Sequence, residues 1–201
     1  MERLKPASAL PRRRRPRSTP ELGTRSMAEP ASSLLTAWAN FYVMTGSSAA
    51  ALTGLMFIVI TLMTGREREE GTRDATAAYT TPTVMHFAAV LLVSAVLLAP
   101  WRSLAHPAVA AVLIGLYGIV NILRAVHRAR RLTIYTADLE DWIWYTILPL
   151  VAYGAISAGG IALATVPMQA LFILAGAVVL LIFVAIRNAW DIVTYVGIVL
   201  R

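Results

Sequence analysis

The fold of this chain is decided by one uncharged apolar run at residues 31–64, ASSLLTAWANFYVMTGSSAAALTGLMFIVITLMT. As a single helix the run would be roughly 51 Å long, whereas the hydrocarbon core of a bilayer is about 30 Å thick. The large side chains at its start fall on one helical face: Leu34, Leu35, Trp38, Phe41 and Tyr42. We therefore predict an interfacial helix over residues 31–42, with Trp and Tyr at headgroup level, and a membrane span at about 43–64.

Four further stretches have 20 or more residues with few charges, at about 79–100, 105–126, 143–165 and 168–188. We predict an all-α integral membrane bundle of five transmembrane helices, with residues 31–201 forming one domain. Residues 187–201 are too short and too polar for a sixth crossing, so they are predicted to extend the last helix as an amphipathic segment. No internal repeat is evident, which disfavours a repeat-built transporter.

The composition agrees with a membrane protein. The 201 residues are 58% hydrophobic and 14% charged, and their mean hydropathy is +0.66, which is more apolar side chain than a soluble domain of this size can bury. The chain has no cysteine, which excludes disulfides, thiol catalysis and zinc–thiolate sites. No Walker loop, GxSxG, HExxH or Rossmann fingerprint is present, so we predict no cofactor, no metal site and no catalytic residue.

Residues 1–30 form a Pro- and Arg-rich extension that is predicted to be disordered. Eight of the 18 basic residues precede Met27, so the net charge of +7 is local and nucleic-acid binding is disfavoured. An alternative is that Met27 is the true start. Lys5 is the single lysine, and this arginine bias is typical of a GC-rich, bacterial genome. The expected location is therefore the bacterial cytoplasmic membrane.

The orientation follows from arginines near the span ends. Nine lie beside the first loop, the third loop and the C-terminus, whereas Arg102 alone lies beside the second loop: Arg66, Arg68, Arg73, Arg124, Arg128, Arg130, Arg131, Arg187 and Arg201. Placing the nine inside predicts an external N-terminus and a cytoplasmic C-terminus. Only the basic residues of the extension favour the reverse.

Small residues recur on the first span, where Gly46, Ala50 and Gly54 fall at i, i+4 and i+8. Such a face allows helices to approach closely. Intramolecular packing is the favoured interpretation, and a homodimer seam or a backbone-lined ion path are the alternatives. In the fourth span we expect Pro149 to introduce a kink and Gly154, Gly159 and Gly160 to loosen the outer half.

Two motifs carry a resemblance to a known group of proteins: AAALTGLMFIVI (49–60) on the first span and RNAWDIVTY (187–195) after the last. The chain resembles small uncharacterised bacterial integral membrane proteins that share an Ala-Leu-Thr-Gly-Leu first helix. The similarity covers residues 31–196 and implies a helical fold in a membrane. Some of these proteins are labelled modulators of a membrane-bound protease, which implies an accessory role. The resemblance carries over no catalytic or binding residue.

Polar side chains recur at similar depth in three spans. An ionisable group near the centre of a span costs about 2.5–3.5 kcal/mol or more, so each is a candidate for function. His86 shares a helix face with Tyr79 and Thr83, Asn121 shares one with Tyr117, Arg124 and Arg128, and Arg187 shares one with Asn188, Asp191 and Tyr195. Together with His127, the predicted polar layer comprises six candidates: His86, Asn121, Arg124, His127, Arg187 and Asp191.

Simpler interpretations exist for each candidate. A lone His86 is typical of an interhelical hydrogen bond, and Asn121 of a link between helices. Arg124 is typical of an anchor at the membrane surface, and Asp191 can pair with Arg187 or with Arg124. Arg128, Arg130 and Arg131 are further anchors that could bind anionic lipids. The acids at 138–141 are interpreted as a solvated helix start.

Three functions are compatible with these patterns. The favoured hypothesis is a non-enzymatic accessory protein that packs with a membrane partner or with copies of itself. The second is an oligomeric channel or transporter that uses the polar layer around His86. The third is an enzyme that acts on lipid headgroups, with His86 or His127 as base and Asp191 orienting it; it is the least favoured, because no nucleophile–base spacing is present.

Overall fold

The computed structural model describes residues 31–64, 70–129 and 139–199. Within these ranges the chain is helical throughout its regular elements, and a π-helical segment, Ile143–Ile147, joins the fifth helix to the sixth. The helices are α1 (Ala31–Ala37), α2 (Ala39–Thr64), α3 (Glu70–Leu98), α4 (Ala105–Ala129), α5 (Leu139–Trp142), α6 (Leu148–Ala162) and α7 (Pro167–Val199).

Five helical stretches are long and apolar enough to cross a membrane: Ala39–Leu62, Thr81–Leu98, Ala105–His127, Ile143–Ala162 and Pro167–Thr194. The prediction of an all-α membrane bundle with five spans is therefore confirmed. The last helix continues past its span to Val199, as the sequence predicts. The extension over 1–30 lies outside the described residues.

The first span begins earlier than predicted. A short break at Trp38 separates α1 from α2, and the Trp38 ring packs edge-on against Phe172 of α7, with 4.7 Å between the ring centroids. Tyr42 is 1% exposed and belongs to the core of the bundle. The helix predicted to lie at the interface over residues 31–42 therefore ends at Ala37, and Tyr42 belongs to α2, where its side chain packs inward among the membrane helices.

The membrane helices pack in antiparallel fashion. On α2, Gly46 lies beside Ser94 of α3, whereas Met56, later on α2, clusters with Phe87, which comes about two turns earlier on α3. The two helices therefore run in opposite directions. The most extensive contacts join α4 to α6, α2 to α3 and α6 to α7, and α3 also contacts α4 and α7. The helices α3, α6 and α7 therefore form the centre; α2 packs on the outside against α3 and α7, and α4 packs on the outside against α6 and α3.

One end of the bundle carries most of the charged side chains that the structure describes. At this end α2 and α4 end and α6 begins. The part of α7 that contains Arg187 and Asp191 also lies here. Arg124 and His127 lie on the last turns of α4 at the same end. We call this the basic end. The opposite end holds α1 and the connections at 99–104 and 163–166.

Glycines bring α4 and α6 into direct backbone contact. A Cβ atom at Gly118 would overlap the ring of Tyr153, and one at Gly115 would overlap the side chain of Ser157. On α6, a Cβ atom at Gly160 would lie 2.9 Å from the backbone oxygen of Ala108. Because none of these positions has room for a methyl group, the bare backbone allows the two helices to touch.

The adjacent glycines of α6, Gly159 and Gly160, pack against two different helices. Gly160 faces α4, whereas a Cβ atom at Gly159 would lie 2.8 Å from Cγ of Leu174 on α7. The expectation that this pair loosens the outer half of the span is therefore wrong, since both glycines lie at close helix contacts. Gly154, by contrast, has open space at its Cβ position.

Pro149 follows the π-helical segment as the second residue of α6. The Leu148 N–H donates to the carbonyl of Ile143, five residues back, which widens the turn. Proline has no N–H to donate, and a π turn is one of the local adjustments that accommodate it in a membrane helix. The structure therefore places a π turn directly before Pro149, and the kink expected at this proline stays a prediction.

Replacing Gly118 with alanine tests the α4–α6 contact. Because the added methyl group would overlap the Tyr153 ring, we expect Gly118→Ala to lower the free energy of unfolding by about 1–3 kcal/mol, measured by SDS titration in mixed micelles. Gly176→Ala is the matched control, because nothing lies within 4 Å of its Cβ position. Equal stability of the two variants would show that the crossing is looser than described.

Candidate functional site

The structure divides the predicted polar layer into three separate groups. His86 lies between helices, with 1% of its surface exposed. Arg187 and Asp191 lie at the basic end and are partly exposed. Of the three candidates on α4, Arg124 and His127 are exposed on its outward side, and Asn121 is half-buried. Similar depth along the membrane normal thus does not bring the six residues to one site.

The outward position of the α4 candidates follows from the inner face of that helix. Its buried residues are small or aliphatic: Pro107, Ala108, Ala111, Gly115, Gly118 and Ile122. The opposite face carries Tyr117, which is 58% exposed. Asn121 donates its side-chain N–H to the Tyr117 carbonyl at 2.8 Å, so its hydrogen bond is made within α4 and links no second helix. Arg124 and His127 line an open cleft of about 330 Å³ with Val120 and Leu123.

An ion cluster links α7 to α5 at the basic end. Arg187 donates from Nη2 to Glu140 Oε1 at 2.8 Å, and its Nη1 contacts the Asp191 carboxylate one turn along the same helix. The guanidinium also lies 5.8 Å from the ring centroid of Trp144. Asp191 therefore pairs with Arg187, and the link between helices runs through Glu140, which the sequence placed in a solvated helix start.

Deeper in the bundle, His86 of α3 meets Tyr153 of α6. Nδ1 of His86 lies 3.0 Å from the Tyr153 hydroxyl oxygen in a buried hydrogen bond, whose direction depends on the imidazole tautomer. The two ring centroids are 5.6 Å apart. Tyr153 is held in place by Gly118, since its ring occupies the space that a side chain at 118 would need. This contact agrees with the simpler interpretation of His86 as an interhelical hydrogen-bonding residue.

Two buried polar residues were not among the sequence candidates, Tyr153 and Asn188. Tyr153 lies in an apolar stretch, and its only signal was a hydroxyl-bearing ring in the middle of a span. Asn188 appeared in the α7 stripe but was not singled out, although its exposed fraction is 0%. The neighbouring Arg187 and Asp191 carry a stronger sequence signal because they are charged, yet they lie nearer to solvent.

The small residues of α2 point in different directions. Gly46 packs inward, where a Cβ atom would lie 2.9 Å from Cβ of Ser94, and the Thr45 and Ser94 hydroxyl oxygens lie 3.2 Å apart beside it. Ala50 and Gly54 are exposed, and nothing lies within 4 Å of the Gly54 Cβ position. Only Gly46 therefore contributes to packing within the chain.

Over the described residues, no group of three His, Asp or Glu side chains is placed to hold a metal ion. His86 is buried inside the bundle, whereas His127 is exposed on its outside. Of the residues proposed to bind anionic lipid, Arg130 and Arg131 fall outside the described ranges, and the Arg128 side chain is not described.

No protein-family model matches the chain, and no curated protein or solved structure is significantly similar to it. The resemblance to proteins with an Ala-Leu-Thr-Gly-Leu first helix therefore stays a prediction. Any statement on function has to rest on the contacts of this chain.

A double-mutant cycle tests the ion cluster. Because Glu140 and Arg187 are joined directly but partly exposed, we expect Glu140→Gln and Arg187→Gln to show a coupling of about 0.2–1 kcal/mol in the free energy of unfolding. Arg124→Gln and Asp191→Asn should instead be additive to within about 0.5 kcal/mol, because Asp191 pairs with Arg187. Coupling in the second cycle and additivity in the first would reverse the assignment.

Proposed function

We propose that the chain is a non-enzymatic accessory protein of a membrane, which acts by helix packing through the outer face of α2. The observation that carries this proposal is a strip of small, exposed residues on that face, which we call the α2 outer strip: Ser47, Ala50, Ala51 and Gly54. Strips of this kind are typical of helix–helix interfaces in membranes, because they let two backbones approach closely.

The α2 outer strip differs from the outward face of α7. The Ser47 hydroxyl donates to the Val43 carbonyl of its own helix, so the strip presents no unpaired hydroxyl hydrogen to lipid. Around Gly176 on α7, the exposed neighbours are large: Phe172, Ile173 and Val179. Large apolar side chains suit contact with lipid, whereas a flat strip of small residues suits a second helix.

The favoured occupant is a second copy of this chain. Two copies of one helix can cross with small residues on both sides of the contact, so a strip of this kind is complementary to itself in a two-fold dimer. A different partner helix would need its own matching surface, and nothing in this chain specifies one. The accessory role then consists of presenting a dimer to the rest of a membrane assembly.

The channel alternative has less support. It required the six candidates of the polar layer to surround one interior space, whereas the α4 candidates face outward and Arg187 is held by two carboxylates at the basic end. His86 lines neither of the two clefts described for the bundle. An enzyme acting on lipid headgroups would need His86 or His127 beside Asp191, but Asp191 is paired with Arg187.

Site-specific cross-linking tests the dimer. The chain contains no cysteine, so a single Ala51→Cys provides the only thiol. In liposomes at low protein density, oxidation should convert most of the Ala51→Cys protein into disulfide-linked dimer. Adding Gly54→Leu should reduce that dimer several-fold, because an isobutyl group holds the helices apart.

Two controls make the cross-linking interpretable. Gly176→Cys lies on an exposed face of α7 with comparable open space, and it should give only the background of random collisions. Gly54→Leu should leave thermal stability of the monomer unchanged, since no atom of the chain lies near its Cβ position. Dimer yields that are equal for both cysteines, or that are insensitive to Gly54→Leu, would contradict the proposal.

We further propose that the basic end faces the cytoplasm of a bacterial cell. The support is the distribution of arginine along the sequence: nine arginines adjoin the first loop, the third loop and the C-terminus, whereas, apart from the extension over 1–30, only Arg102 adjoins the second loop. The two arginines at the basic end whose surroundings are described are Arg124, beside the open cleft, and Arg187, in the ion cluster.

Reporter fusions test this orientation. A reporter fused after Arg201 should be active in the cytoplasm, and one inserted in the loop at 101–104 should be active outside the membrane, since the excess of arginine retains its end inside. The same pair should give the same result when residues 1–26 are deleted. Reversal of both reporters in the full chain alone would show that the basic extension controls orientation.

A further inference from the structure

Two buried polar side chains lie in one layer of the bundle. His86 of α3 and Asn188 of α7 have exposed fractions of 1% and 0%. Phe87, the residue after His86, belongs to the same apolar cluster as Ala185 and Ile192 of α7. Asn188 follows Ala185 by three residues and precedes Ile192 by four, so it lies on the same inner face of α7. Asn188 and His86 therefore share a depth between α3 and α7.

Polar atoms in this layer lack partners among the described residues. Nδ1 of His86 is bonded to the Tyr153 hydroxyl, but Nε2 of His86 has no hydrogen-bond partner. Neither Nδ2 nor Oδ1 of Asn188 has one. In either imidazole tautomer Nε2 remains a donor or an acceptor, and an amide is both, so three strong hydrogen-bonding atoms stay unsatisfied in an apolar bundle.

Such atoms are strongly disfavoured in a membrane interior. A buried polar group without a partner loses its hydration and gains nothing in return. Other polar side chains of this bundle avoid that loss within their own helix, as Asn121 does by donating to Tyr117. Asn188 makes no such bond, although it lies on a helix with the same backbone acceptors. Its amide is therefore available to a ligand.

We propose that His86, Tyr153 and Asn188 form an intramembrane site that binds water. A water molecule both donates and accepts, so one bound between Nε2 of His86 and the Asn188 amide satisfies either tautomer. Buried water in proteins occupies places of this kind, with two to four polar partners and no other way to satisfy them. Asn188 lies one residue from Arg187 of the ion cluster, so the site is nearest to solvent at the basic end.

The chemistry of the site favours water over other ligands. A metal ion would need several anionic or imidazole ligands, and the described residues supply one buried histidine here. An apolar ligand would leave all three atoms unsatisfied. The proposal does not rest on the α2 outer strip, because that strip faces away from the α3–α6–α7 centre.

Hydroxyl-radical footprinting of the full chain in lipid nanodiscs tests the site. A short X-ray pulse generates radicals from water wherever it lies, so a buried side chain is oxidised only when water is bound next to it. The quantity measured is the oxidation of each residue relative to the same residue in the SDS-denatured chain. We expect His86 and Tyr153 to be oxidised at least several-fold more, on this scale, than the equally buried Leu171 and Leu174.

One pair of identical substitutions assigns the site to Asn188. Asn188→Leu removes the amide at similar volume and should lower the relative oxidation of His86 to that of Leu174. Asn121→Leu, on the outward side of α4, should leave it unchanged. Wild-type oxidation of His86 no greater than that of Leu174 would overturn the proposal by itself, even if Asn188→Leu did not fold. Unchanged oxidation in a folded Asn188→Leu variant would also overturn it.

Discussion

The close approach of α4 and α6 is the contact on which the other buried features depend. Within a bilayer, helices gain little hydrophobic energy from each other, so association requires close van der Waals packing. Gly115, Gly118 and Gly160 allow that packing because they carry no side chain. The space over Gly118 is filled by the Tyr153 ring, whose hydroxyl then meets His86 of α3. The absence of a side chain at Gly118 of α4 thus makes room for the Tyr153 ring of α6, which in turn contacts α3.

The membrane also determines how each polar group is satisfied. Hydroxyls on the exposed face of α2, such as those of Ser48 and Thr61, donate to carbonyls one turn back and need no second helix. Arg187 lies near enough to solvent to be stabilised by two carboxylates. At His86 and Asn188 in the centre, by contrast, the helical backbone does not supply the missing partner, and the hydroxyls of Tyr42 and Ser157 are also buried without one.

The fold was predictable because span length and apolar composition are set by the thickness of a bilayer. The inner and outer faces of each helix were harder to predict. On α4 the sequence contains a polar stripe through Asn121 and a small-residue stripe through Gly115 and Gly118, and either could face inward. Close packing selected the small stripe, while long polar side chains near a span end can reach the membrane surface.

The π turn at Ile143–Ile147 changes the rotation of α5, which precedes it, relative to α6, which follows it. A π turn contains about one residue more than an α turn, and one residue rotates a helix by about 100°. The extra residue therefore shifts the phase of α5 relative to α6, and with this phase Glu140 is directed toward Arg187 while Tyr153 is directed toward α3. With a regular α turn in its place, α5 would be rotated by about 100° relative to α6, and the two side chains would not keep these relative directions. The π turn thus sets the rotation of α5 relative to α6, so that Glu140 contacts Arg187 of α7 and Tyr153, at a different depth, contacts His86 of α3.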